Sequence, residues 1–116
     1  MSHILLLVSN VERSRDFYTR RLGFELGTNE DGAVGLTFGG GYLTLHADHP
    51  GRTLPRPRGA GVHIAVEVDD VDGYRQELVA KGVAAGELRE QPGQRDFELR
   101  DPEGYVWVFL QLVTRS

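Results

Sequence analysis

The stretch His3-Ile4-Leu5-Leu6-Leu7-Val8-Ser9-Asn10-Val11 returns in altered form as His63-Ile64-Ala65-Val66-Glu67-Val68-Asp69-Asp70-Val71. A histidine, an isoleucine, two valines and a polar pair coincide at a constant offset of 60 residues. Farther on, the first copy runs through Phe17-Tyr18 to Leu22-Gly23-Phe24. The second runs through Tyr74 and Leu78 to Lys81-Gly82-Val83, the offset slipping by one residue. A fixed period of this kind outranks local signals when a fold is read from sequence. Two half-chains of about 58 residues share one plan.

Each copy opens on a short β-branched and leucine-rich run, the composition and length of a strand. Asn10 or Asp70 follows, a side chain suited to accept from the first free amides of a helix. Val11, Tyr18 and Leu22, and then Val71, Tyr74 and Leu78, recur at helical spacing, and Gly23 and Gly82 stand where a left-handed cap ends a helix. This predicts two amphipathic helices of about three turns each. Beyond the helices the period becomes two, with strands over Gly32–Phe38 and Tyr42–His46 around a Gly39-Gly40-Gly41 turn. In the second copy the expected strands are Gly86–Glu90, Arg95–Arg100 and Tyr105–Gln111, with Asp101-Pro102-Glu103-Gly104 as a hairpin turn. The plan is βαβββ, twice, in an α+β chain. Module one covers 1–48, an exposed linker rich in Pro, Gly and Arg covers 49–61, and module two covers 62–116.

Composition narrows the function. The 116 residues suit one domain-sized core, and a charged fraction of 26 % rules out neither folding nor solubility. There is no cysteine, so disulfides, thiolate nucleophiles and sulfur-ligated metals are excluded together. A net charge of −4 argues against a nucleic-acid binder. Arg52, Arg56 and Arg58 cluster, but prolines interrupt them, and a solvated loop is expected. No apolar run is long enough to cross a bilayer and no signal-peptide pattern opens the chain, so no membrane partner is expected and a cytoplasmic location is. Gly39-Gly40-Gly41 lies between strands and reads as a turn, not a phosphate loop. Asp69, Asp70 and Asp72 fall in the first turn of a helix, where its dipole favours carboxylates.

The chain resembles the vicinal oxygen chelate superfamily, which includes glyoxalase I, extradiol dioxygenases and the fosfomycin and bleomycin resistance proteins. The matching stretches are Val8-Ser9-Asn10-Val11-Glu12-Arg13-Ser14, Phe17-Tyr18, Arg21-Leu22-Gly23-Phe24, Gly61-Val62-His63-Ile64-Ala65-Val66 and Arg100-Asp101-Pro102-Glu103-Gly104. The segment from Glu90 to Gly104 is most similar to the bleomycin resistance proteins, with Tyr105 where those commonly carry Asn. The resemblance implies that the two βαβββ modules form a curved mixed sheet and that a homodimer completes the ligand clefts. It also implies four metal-ligand positions in the metal-dependent members, which fall here on His3, Thr44, His63 and Val108.

Thr44 and Val108 cannot supply what a carboxylate would, and two imidazoles are too few for a dependable divalent site. His46, on the same strand face as Tyr42 and Thr44, is the candidate replacement, with Glu67 and Glu98 behind it. Alternation outward from the histidines puts Leu5, Leu7, Tyr42, Thr44, His46, His63, Ala65, Glu67, Val106, Val108 and Leu110 on a ligand-binding face, and Phe38 is assigned to the same set. Ile4, Leu6, Val8, Ile64, Val66, Val68, Trp107 and Phe109 are expected under the helices. The expected function is non-enzymatic binding of a small molecule, as in resistance to a bleomycin-like natural product by sequestration, with no cofactor and no catalytic residue. The alternative is a lyase, isomerase or dioxygenase of the glyoxalase type that uses Zn, Ni, Mn or Fe on His3, His63 and His46.

Overall fold

The computed structural model describes residues 3–30, 32–48 and 58–113. The chain divides into two compact units, Met1–Arg58 and Gly59–Ser116. The boundary therefore falls between Arg58 and Gly59, inside the segment expected as a linker, and residues 49–57 of that segment lie outside the described residues.

In the first unit the elements are β1 (Ile4–Val8), α1 (Val11–Asp16), a π-helical turn (Phe17–Arg21), β2 (Glu25–Glu30), β3 (Ala33–Phe38) and β4 (Gly41–Ala47). The sheet order is β1-β4-β3-β2. Strand β1 pairs in parallel with β4, from Ile4↔Leu43 to Val8↔Ala47, and the other pairs are antiparallel. The second unit repeats this with β5 (His63–Glu67), α2 (Val71–Ala80), β6 (Arg89–Gln91), β7 (Gln94–Arg100) and β8 (Val106–Leu112) in the order β5-β8-β7-β6. Here β5 runs parallel to β8, from His63↔Val106 to Glu67↔Leu110. A parallel pair cannot close through a tight turn, so the helix between β1 and the hairpins, or between β5 and the hairpins, carries the chain across one face of its sheet.

The caps form where the sequence placed them. Asn10 Oδ1 accepts from the Arg13 amide at 3.0 Å, and Asp70 Oδ1 from the Gly73 amide at 3.1 Å. Gly23 and Gly82 have φ of +82° and +84°, the left-handed conformation expected after each helix. Asp101 closes its turn by accepting the Glu103 and Tyr105 amides on Oδ1, at 3.0 and 2.8 Å.

Burial follows the predicted parity. Leu6, Val8, Ile64, Val66, Trp107 and Phe109 are buried, and Ile4 and Val68 are half-buried. Tyr18, Leu22, Leu36, Leu43 and Leu45 complete the first core, and Val71, Leu78, Phe97 and Leu99 the second. In the second unit Phe97 and Phe109 stack at 5.5 Å and Tyr74 meets Phe109 edge-on at 5.0 Å, so the α2 face is sealed by rings.

Three local differences have physical causes. The first helix is α-helical only to Asp16, and Leu22 then donates to the Phe17 carbonyl five residues back. The Thr19 hydroxyl donates to the Arg15 carbonyl at 2.8 Å, a side chain competing with the backbone ladder where the turn widens. Strand β2 has no apolar periodicity because all six of its residues are exposed, and its register shifts between Leu26 and Thr28. The strand expected over Gly86–Glu90 is displaced to Arg89–Gln91, and the residues before it meet β7 through an isolated Ala85↔Leu99 bridge and the Gly86 amide on the Glu98 carbonyl.

Substitution of Phe109 by Ala should lower unfolding free energy by about 3–5 kcal/mol, while Leu5→Ala on the uncovered face should stay within about 0.5 kcal/mol. Urea unfolding followed by the fluorescence of buried Trp107 measures both. Equal costs would contradict the assignment of faces.

Candidate functional site

In each unit the helix covers one face of the sheet: α1 packs on β4 and β3, and α2 on β7 and β8. Strand alternation therefore assigns every second residue to a face that its own helix leaves open.

In the first unit this face carries His3, Leu5 and Leu7 beside Tyr42, Thr44 and His46, in the register Leu5↔Thr44 and Leu7↔His46. Leu5 is 54 % exposed, and Leu7, Tyr42, Thr44 and His46 are half-buried. The rings of His3 and Tyr42 meet edge to face at 5.6 Å. Thr44 stands opposite Gly35 of β3, and the Tyr42 side chain leans over that glycine. A Cβ at Gly35 would overlap the Tyr42 hydroxyl and lie 2.5 Å from Thr28 Oγ1, so any larger residue here requires the Tyr42 and Thr28 side chains to shift. His46 Nδ1 lies 2.7 Å from the Ala47 carbonyl. A carbonyl only accepts, so Nδ1 is the donor in this bond.

Phe38 does not share this face. Its ring stacks on Phe24 at 4.7 Å, and Phe24 stacks in turn on buried Tyr18, so Phe38 extends the core on the helix side. Arg58 also departs from expectation. Its guanidinium makes a two-pronged ion pair with Asp48, both bonds 2.6 Å, and donates to the Leu7 carbonyl at 3.0 Å, so it is anchored to the sheet instead of being solvated. Arg52 and Arg56 lie outside the described residues.

In the second unit the open face carries three cross-strand rows. They are His63–Val106–Arg100, Ala65–Val108–Glu98, and Glu67–Leu110–Asp96 with Arg89 beyond. His63, Ala65 and Glu67 are exposed, Val108 and Leu110 half-buried, and Val106 buried. Asp96 is fully buried although it faces away from α2. Its Oδ1 accepts Arg89 Nε at 2.7 Å, and its Oδ2 accepts the amide nitrogens of Gln91 and Gln94, each at 2.7 Å. Arg89 also reaches Glu98, Nη1 to Oε1 at 3.2 Å. The Asp96 hydrogen bond, reinforced by the charges of Asp96 and Glu98, pushes the Arg89 guanidinium further toward its charged form.

Sequence reading missed this polar cluster. The alternation Gln94, Asp96, Glu98, Arg100 against Phe97 and Leu99 was a sufficient signal for its face. The burial of Asp96 depends on the pairing Arg89↔Asp96 and Gln91↔Gln94, which is a property of the hairpin register.

The metal-ligand positions implied by resemblance keep their places in the strands but not their chemistry. Thr44 and Val108 offer a neutral hydroxyl and no donor. Among the described residues no three His, Asp or Glu side chains gather as metal ligands. Within the first unit, His3 is engaged with the Tyr42 ring. His46 lies four residues along the same strand from Tyr42, about 13 Å at strand rise, so it does not rebuild a ligand set beside His3. Within the first unit, His3, Thr44 and His46 do not make up a divalent ligand set.

The model of the Glyoxalase/Bleomycin resistance protein/Dioxygenase superfamily matches residues 1–109. The uncharacterized protein YwkD of Bacillus subtilis (strain 168) is 34 % identical over 113 residues, covering 87 % of this chain and 88 % of YwkD. Among solved structures, a glyoxalase/bleomycin resistance protein/dioxygenase from Nocardioides superposes with a TM-score of 0.80 at 22 % identity, covering 100 % of this chain and 85 % of that one. TioX from Micromonospora sp. ML1 gives 0.78 at 25 % identity, covering 97 % of this chain and 100 % of that one.

A Gly35→Ala substitution should cost about 1–3 kcal/mol by overpacking, and a Tyr42→Ala background should remove part of that cost. A double-mutant cycle by urea unfolding checks it, and strict additivity would contradict the contact between Tyr42 and Gly35.

Proposed function

We propose that this chain, which belongs to the Glyoxalase/Bleomycin resistance protein/Dioxygenase superfamily, is a metal-independent, homodimeric small-molecule binding protein of the drug-sequestering kind. The superfamily scaffold hosts many activities, so this reading rests on the site and not on the fold. One observation carries it. Thr44 and Val108 stand at positions where metal-dependent relatives hold ligands, on sheet faces that combine apolar side chains with a few hydroxyl, imidazole and carboxylate groups.

A face of that composition holds a compound by apolar burial and a small number of orienting bonds, with no group activated for bond breaking. Leu5, Leu7, Val108 and Leu110 supply the apolar area. Tyr42, Thr44, His46, His63 and Glu67 supply the polar groups. The ligand is a natural product of the bleomycin-like class, retained unchanged, and the protein acts in the cytoplasm, where it would intercept such a compound before its target.

Calorimetry on chelator-washed protein with bleomycin and an enediyne tests the proposal, with sedimentation velocity reporting the dimer. The expected result is saturable binding with two equivalents per dimer and no chemical change in the recovered ligand. Absence of heat with every compound would remove the proposal's support. Retention of close to one metal ion per chain, lost on His63→Ala, would favour the metal-dependent lyase or dioxygenase instead.

A further inference from the structure

A cavity of about 490 Å³ lies at the β3–β4 turn end of the first unit's sheet. That volume is within the range of about 300–1,000 Å³ usual for small-molecule sites. Its space comes from glycine. Gly39, Gly40 and Gly41 line it from the turn, and Gly23 lines it from the end of the helical segment. A Cβ added at Gly23 or Gly40 would meet no atom within 4 Å, so neither position is covered. At Gly41 the missing side chain makes room for the Phe38 ring, two of whose carbons lie 2.8 Å from where a Cβ would stand.

The polar groups of the lining come from one cross-strand row. Glu25 pairs with Thr37 and Thr37 with Tyr42, all on the face that α1 leaves open and all lining the cavity. Directly paired residues hold their Cβ atoms about 4.5–5.5 Å apart, so one ligand can reach the Glu25 carboxylate and the Thr37 hydroxyl together. Both residues are exposed, and among the described residues neither side chain makes a hydrogen bond or an ion pair.

Charge defines the partner. Glu25 is the single charged residue of the lining. Strands β1 to β4 contain no Lys or Arg, and besides Glu25 they carry only Glu30 and His46 as charged or imidazole side chains. His3, ahead of β1, is engaged on the Tyr42 ring, and Arg58 is paired with Asp48. Arg20 and Arg21 are exposed at the end of the π-helical turn and do not line the cavity. A carboxylate without a cationic neighbour in the lining favours a cation over an acid.

We propose that this cavity binds a small organic cation, a protonated amine on a compact apolar body. The ammonium donates to Glu25 and Thr37 in charge-assisted bonds, and the body lies among Phe38, Tyr42 and the glycine backbone. The inference stands apart from the sequestration reading, which uses neither Glu25, Thr37 nor the turn glycines.

Benzylamine, benzyl alcohol and benzoate share a ring and differ in charge, so NMR titration of the whole chain with each separates the elements. Benzylamine should shift the amide signals of Gly23, Gly39, Gly40 and Gly41 saturably and bind more tightly than the alcohol, with benzoate weakest. Glu25→Gln keeps the shape and removes the charge, and should weaken benzylamine about fivefold while leaving benzyl alcohol unchanged. Glu30→Gln, at the other end of the same exposed strand, removes an equal charge and should leave both affinities as they were. Urea unfolding confirms that each variant is folded. Equal affinity for the three probes, an unchanged affinity in Glu25→Gln, an equal loss in Glu30→Gln, or no shift of these glycines at millimolar benzylamine would overturn the assignment.

Discussion

A four-stranded sheet has two faces, and among the described residues each unit has one helical segment between its strands. This inequality governs the rest of the molecule. The parallel pairing of β1 with β4, and of β5 with β8, forces the chain to cross over one face, and that face becomes the core. The second face is left to whatever the side chains can do for themselves. In the first unit they meet this with aromatic and histidine packing over Gly35. In the second they build a salt-bridged raft of Arg89, Asp96, Glu98 and two glutamines. The two units are the same in backbone plan and different in the chemistry of their uncovered faces.

That difference bears on how one scaffold moves between catalysis and binding. A divalent site needs a few donors at short range, and replacing carboxylates by Thr44 and Val108 removes the charge that would hold the ion. The strand positions themselves are undisturbed, since threonine and valine are good strand formers. Thr44 and Val108 therefore fit their strands without any demand for a bound ion. The carboxylates of the second unit, Asp96 and Glu98, are committed to a guanidinium instead of an ion.

Much of this was legible in the sequence because it depends on local rules. The histidine-led repeat, the Asn10 and Asp70 caps, the glycines after each helix and the alternation of Leu6 and Val8 against Leu5 and Leu7 all follow from periods of two and 3.6 and from capping chemistry. What escaped depends on partners distant in sequence or on exposed backbone. Strand β2 buries none of its side chains, so no apolar pattern marks it, and its order comes from pairing with β3 alone. The widened turn at Phe17–Arg21 leaves no compositional trace. Phe38 was misassigned against an available signal, since on β3 it has the parity of buried Val34 and Leu36 while Thr37 faces Tyr42, and its stacking on Phe24 agrees with that parity. The faces of the candidate site residues on β1, β4, β5 and β8 were read from parity. The Asp96 cluster needed the register of β6 against β7.

The ion pair between Asp48 and Arg58 joins the two ends of the stretch between them, and Arg58 is tied in turn to the Leu7 carbonyl of β1. That tie rests on Asp48 and Arg58 themselves, ten positions apart in sequence, and on the Leu7 carbonyl. Lengthening a closed excursion costs only about 0.6 kcal/mol for each doubling of its length. Asp48 and Arg58 thus mark a seam at which a new segment could be spliced in during evolution, or a reporter inserted in the laboratory, with the β1–β4 pairing kept intact.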